Sequence, residues 1–180
     1  MIRKTIAAFA IVAALSAPVH AATIHILKGL THYVGEWPVV GLAEDLRAQG
    51  HDVAVLNHTD GNDVTSLPDI FIGHSMGGNA VLKATQRLIL EGHKPPLLVL
   101  TIDPGKYPLY SYCTKGVRCV NLYAPRLLIA GQVVYDPITK KPIRENYHLT
   151  GTVHASMPAH PKVRATAVRI VGEVLANPAR

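Results

Sequence analysis

Residues 71–79 read FIGHSMGGN, a serine set between glycines directly behind a short apolar run. The five residues Gly73-His74-Ser75-Met76-Gly77 form a G-x-S-x-G pattern, which recurs by chance and acquires meaning only from its setting. That setting is informative. Before Ser75, "DIFIG" (69–73) has the β-branched and aromatic character of a short buried strand. After it, "GGNAVLKATQRLILEG" (77–92) places Val81, Leu82, Thr85, Leu88 and Ile89 on one helical stripe, closed by Gly92. Ser75 thus falls in a strand–turn–helix junction, the arrangement that holds a serine hydroxyl at the carboxyl edge of a sheet. The competing reading, a phosphate-cradling Gly-rich loop, requires a Lys and a glycine spacing that are missing here.

Working outward, the same alternation continues along the chain. "TIHILKGL" (23–30) reads as a strand ending at Gly29, and "PVVGLAEDLRAQG" (38–50) as a helix punctuated by Pro38 and Gly50. Strands follow at 51–58, at 96–103, around 116–123 and at 126–134, and a closing helix at 161–177 turns Val163, Ala167, Ile170, Val171 and Val174 inward. The 96–103 strand is almost wholly apolar, as expected when both its faces are covered. Strands alternating with helices predict an α/β fold with a parallel sheet and right-handed crossovers. Repeats, low-complexity tracts and linkers are absent from the sequence, so one domain is expected.

The N-terminus has a different character. Arg3 and Lys4 precede an apolar run from Ile6 to Leu15, and Val19-His20-Ala21 offers small residues at a cleavage site. This is the pattern of a secretory signal peptide over residues 1–21, too short and wrongly flanked for a membrane span of about 20 apolar residues. Cleavage after Ala21 leaves a domain of residues 22–180, exported to the periplasm or the medium, with no integral membrane segment. Removing Arg3 and Lys4 lowers the formal charge from +6 to +4. The remaining charge is spread out and not interleaved with aromatics, which argues against nucleic acid as a partner. Cys113 and Cys119 suit an oxidising compartment, and the five residues between them permit a small disulfide loop worth on the order of 2 kcal/mol. A metal site built on free thiols lacks partners at zinc spacing.

A serine nucleophile needs a base and an orienting carboxylate, which here follow in the chain order Ser, acid, His. Asp103 ends the strand "LLVLTID" and is followed by Pro104-Gly105, a turn that holds it at the sheet edge. Asp136 in "VVYDPIT" is the alternative, although it leads into what reads as a surface hairpin. Among ten histidines, His148, His154 and His160 lie late enough to serve as base. His154 sits in the loop after Gly151, and it is the candidate preferred here. A His154/His160 zinc pair lacks a third ligand at familiar spacing. His74, beside Ser75, is read as a packing residue leaning along the turn. The oxyanion donors expected are the amides of Met76, at the start of the following helix, and of Leu30, where Gly29 lets the backbone approach. Tyr33 and Trp37 are candidates either to line an acyl site or to pack.

Taken together, "IHILKGL", "GHSMGGNAV", "TIDPG" and "GTVHASMP" resemble a compact α/β-hydrolase of the lipase/esterase or thioesterase-like kind, across nearly the whole mature chain. The resemblance implies a three-layer α/β-hydrolase-like sandwich with a mostly parallel sheet and no large cap domain. It also implies a Ser75–His154–Asp103 triad, Leu30 and Met76 as oxyanion donors, and no cofactor. Many members carry the acid one strand later, which keeps Asp136 in play. The expected activity is hydrolysis of a small-molecule or lipid ester by a monomer. An acyltransferase, a thioesterase using the same triad, and a non-catalytic binding protein of the same fold are the rival readings.

Overall fold

The computed structural model describes residues 21–30, 37–105, 111–124 and 131–178. The signal-peptide expectation for residues 1–21 therefore lies almost entirely outside the described residues. Six strands form the central sheet: β1 (Thr23–Lys28), β2 (Asp52–Asn57), β3 (Ile70–His74), β4 (Leu98–Ile102), β6 (Cys119–Tyr123) and β8 (Asn146–His148). Two short strands, β5 (Ser111–Tyr112) and β7 (Val134–Tyr135), pair with each other apart from it. The sheet order is β2-β1-β3-β4-β6-β8, and every pair in it is parallel.

Three helices cover the sheet: α1 (Trp37–Ala48), α2 (Met76–Leu90) and α3 (Pro161–Ala176). Strand alternation sorts the core into two halves. Ile24 and Ile26 of β1 and Ile70 and Ile72 of β3 pack with Leu42 and Leu46 of α1 and Val163 and Val171 of α3. Leu27, Phe71 and Val99 face the other way, against Val81 and Leu88 of α2. The result is a helix–sheet–helix sandwich. Each fully buried Leu or Ile contributes about 2 kcal/mol to holding it. The inward stripe expected for α3 is buried at every position, whereas Ile89 of α2 is only half-buried.

One strand expectation is corrected. Residues 126–130 lie outside the described residues, and 131–133 are not strand; Val134–Tyr135 pairs with β5 and stays out of the central sheet. The sixth strand is β8, whose Asn146, Tyr147 and His148 pair with Asn121, Leu122 and Tyr123. With no apolar run of its own, β8 gives no strand signal. The Asn146 side chain ties β8 both to β6 and to β7: its Oδ1 accepts from Asn121 Nδ2 (2.8 Å) and the Val134 amide (3.0 Å), and its Nδ2 donates to the carbonyls of Val134 (3.0 Å) and Ile143 (2.8 Å). A side chain thus satisfies the backbone groups of β7 that a ladder would otherwise pair.

Cys113 and Cys119 form a disulfide, with a Cα–Cα distance of 6.0 Å, at the entry to β6. Among the described residues, no helix is long and apolar enough to cross a membrane. The chain leaves β1 towards β2 on one side and returns to β3 on the other. The carboxyl ends of β1 and β3 thus flank the point where the strand order reverses, the usual ligand position in such sheets.

Candidate active site

Ser75 stands at that edge of the sheet, between the last residue of β3 and the first of α2. Its backbone has φ 55° and ψ −123°, a conformation that costs of order 1–3 kcal/mol for a residue with a side chain. The surroundings over-determine it. The Ser75 amide donates to the Ile102 carbonyl at 3.0 Å, and the Ser75 carbonyl accepts from the amides of Gly78 (2.9 Å) and Gly105 (3.2 Å). Glycine is required on both sides of the turn. A Cβ on Gly73 would lie 2.2 Å from the Gly77 carbonyl oxygen, and one on Gly77 would lie 1.9 Å from the Leu27 carbonyl oxygen. Gly29, after β1, sits so close that a Cβ there would come within 2.7 Å of Ser75 Cβ.

Asp103 follows β4 directly and is almost fully buried. It too has a positive φ, 48°. Its amide donates to the Leu122 carbonyl at 2.7 Å, and its Oδ1 accepts from the Ala124 amide at 2.9 Å. The remaining oxygen, Oδ2, lies 2.7 Å from His154 Nδ1. His154 opens a 3₁₀ turn (His154–Ala159) that leads into α3, and its Nε2 lies 3.0 Å from Ser75 Oγ. A carboxylate only accepts, so Nδ1 carries the proton and Nε2 is left to accept from the serine hydroxyl. Hydroxyl, imidazole and carboxylate therefore stand in the order and spacing that nucleophilic acyl chemistry requires.

The other candidates lie elsewhere. Asp136 is half-buried and turned onto its own hairpin, accepting from the amides of Ile138 (3.0 Å) and Thr139 (2.6 Å); these bonds, the Thr139 amide foremost, hold its carboxyl below the usual range. His160 caps α3, its Nδ1 accepting from the Lys162 amide at 3.2 Å. The His148 ring packs against Tyr123 with centroids 5.2 Å apart. Met76 is the first residue of α2, so its amide lies in the helix turn whose N–H groups lack intrahelical acceptors. Leu30 directly follows Gly29 and is half-exposed. Tyr33 and the Trp37 side chain lie outside the described residues.

Two polar residues of the site escaped the sequence reading. Asn79, buried in the first turn of α2, donates from Nδ2 to the Gly105 carbonyl (2.9 Å) and accepts from Ser111 Oγ (2.8 Å), bracing the loop after Asp103. His74 is fully buried and does more than pack: its Nε2 lies 2.9 Å from the main-chain oxygen of His154. Burial, reinforced by the nearby His154, pushes the His74 imidazole down to about 4. A signal for His74 was present. It continues the Ile70, Ile72 alternation on the core face of β3, where a polar side chain needs a partner.

Comparison with known proteins agrees with this architecture. The chain is similar in structure to human thioesterase 2 (TM-score 0.56, 10% identity, covering 89% of this chain and 99% of that one). It is also similar to the esterase domain of a Rhodothermus marinus protein (TM-score 0.53, 15% identity, 88% and 87% covered). A third likeness is to a Xanthomonas campestris protein assigned as a hydrolase of the α/β superfamily (TM-score 0.52, 15% identity, 86% and 97% covered). No protein-family model and no curated protein sequence matches the chain. The fold is that of the α/β-hydrolases.

Proposed function

We propose that this chain is an exported serine hydrolase that cleaves a carboxylic ester by two-step acyl transfer. Ser75 is the nucleophile, His154 the general base and then acid, and Asp103 the carboxylate that orients the imidazole. One observation carries the reading: Ser75 Oγ, in a strained turn at the sheet edge, stands 3.0 Å from His154 Nε2, while His154 Nδ1 stands 2.7 Å from Asp103 Oδ2.

His154 Nε2 takes the Ser75 proton as Oγ bonds to the ester carbon. The carbonyl electron pair moves onto its oxygen, which the amides of Met76 and Leu30 receive. Collapse of this intermediate expels the alcohol, protonated by His154, and leaves an acyl-serine. Water then attacks the acyl carbon, its proton going to His154, which passes it to Ser75 Oγ as the C–Oγ bond breaks and the acid departs. Asp103 accepts the Nδ1–H throughout, and the Ala124 amide on its other oxygen keeps the carboxylate from turning away. The scheme calls for no cofactor.

Export is supported by the basic-then-apolar N-terminal pattern and by the Cys113–Cys119 disulfide. The substrate is taken as a small-molecule or lipid ester and the protein as a monomer. Because the structural neighbours include both a thioesterase and an esterase domain, matched oxygen esters and thioesters belong in the same assay. The deciding experiment is labelling with a fluorophosphonate probe. Wild-type protein is expected to label and to hydrolyse a chromogenic ester, and Ser75→Ala to do neither, with turnover down by at least about 10⁴-fold. Wild-type turnover in Ser75→Ala would overturn the reading.

A further inference from the structure

Ile70, Ile72 and His74 share one face of β3, and all three are fully buried. The first two are part of the apolar core beneath α1 and α3; His74 places an imidazole at the end of that row. A carbonyl oxygen can only accept, so the 2.9 Å contact with the His154 main chain puts the His74 proton on Nε2. In the neutral ring Nδ1 is then a bare acceptor, and this buried atom has no hydrogen-bond partner among the described residues. An aromatic or aliphatic side chain would fill the space without leaving a nitrogen unpaired. What the imidazole adds is one donor, directed at the backbone of the residue that carries the base.

That donor joins two parts of the site that have little else in common. His74 precedes Ser75 in the chain, at the end of a rigid strand. His154 begins its 3₁₀ turn after Gly151, with φ 77°, and the exposed Val153. The two rings are 5.1 Å apart and tilted by 36°. Asp103 holds the His154 ring, while His74 holds its main chain.

We propose that His74 is a positioning residue: its Nε2–H bond to the His154 carbonyl sets the distance between the His154 imidazole and Ser75 Oγ. This rests on the reading of Ser75, His154 and Asp103 as the reacting group. His74 stays neutral across the working range, because its imidazole is pushed down to about 4, so the donor persists wherever His154 acts as a base.

The test compares His74→Phe, which fills the space without the donor, with His74→Gln, whose amide nitrogen reaches the same carbonyl. Steady-state kinetics on p-nitrophenyl acetate and the rate of fluorophosphonate labelling are the readouts. His74→Phe is expected to lower kcat by about 10- to 100-fold with KM within twofold, as a displaced catalytic group does, and His74→Gln to recover most of the loss. Wild-type kcat in His74→Phe, or a His74→Gln no better than His74→Phe, overturns the role. If His74→Phe does not fold, as judged by circular dichroism, His74→Asn takes its place, since its shorter amide cannot reach. Wild-type protein that neither labels nor hydrolyses the ester overturns the catalytic reading and this role with it. A labelling wild type beside an unimpaired His74→Phe overturns this role alone.

Discussion

At the β3–α2 turn Ser75 is gripped by backbone on every side, whereas the 3₁₀ turn holds His154 through side-chain bonds reaching over from the ends of β3 and β4. The first region has no slack: Gly29, Gly73 and Gly77 are packed so closely that a single methyl group would meet carbonyl or serine atoms. In the second, Gly151 has nothing within 4 Å of where its Cβ would be, and Val153 is 63% exposed. Ser75, the proposed nucleophile, is therefore placed by local sterics, and His154, the proposed base, by long-range hydrogen bonds. Damage to the two regions should differ in kind.

Of the changes that separate the two regions, the largest effect is expected where His154 loses its carboxylate. Asp103→Asn removes the acceptor that fixes the His154 tautomer, and kcat should fall by about 10⁴-fold with little change in melting temperature. A loss below tenfold would show that Asp103 does not orient the base. At the nucleophile the corresponding damage is to folding. Gly77→Ala sets a Cβ against the Leu27 carbonyl, where backbone cannot give way, and should cost about 3 kcal/mol or more in urea denaturation.

His74 links the regions, and its stability signature is a pH dependence. Its folded imidazole, pushed down to about 4, lies below the ordinary 6.5. Above pH 6.5 neither the folded nor the unfolded form binds the proton and stability is full. Between 6.5 and 4 only the unfolded chain binds it, so stability falls as pH drops. The loss approaches about 3 kcal/mol at the acid end. His25 and His51, also lowered by burial, act in the same direction. Unfolding curves for wild type and His74→Gln at pH 7 and pH 4.5 isolate the share of His74, and identical pH slopes would refute it. The smallest effect belongs to the base loop. Gly151→Ala meets no neighbour and should cost only about 1 kcal/mol, the penalty of φ 77° for a residue with a side chain. A cost as large as that of Gly77→Ala would erase the contrast between the two regions.

The elbow was readable in the sequence because its determinants lie within a few residues of one another. An apolar run, a glycine pair and a helical stripe around Ser75 are all local patterns. Asp103 was readable with Asp136 as a rival, because a strand-end aspartate before Pro-Gly marks a sheet edge but not what it faces. His154 is singled out among three histidines by its place in the loop after Gly151. The missing strand has no such mark: β8 is Asn146-Tyr147-His148, with no apolar run, and it joins the sheet by pairing with β6, 25 residues earlier.

What the sequence determined by itself was the alternation that makes a parallel α/β sandwich and the turn that sets a serine at its carboxyl edge. Both follow from side-chain periodicity and from the steric needs of glycine, which act over short stretches of chain. Only the tertiary structure decided that Asp103 rather than Asp136 meets His154, that β8 closes the sheet, and that His74 binds the His154 backbone. Those are contacts between segments 25–80 residues apart, and no local pattern encodes which of several suitable groups the folded chain will bring together.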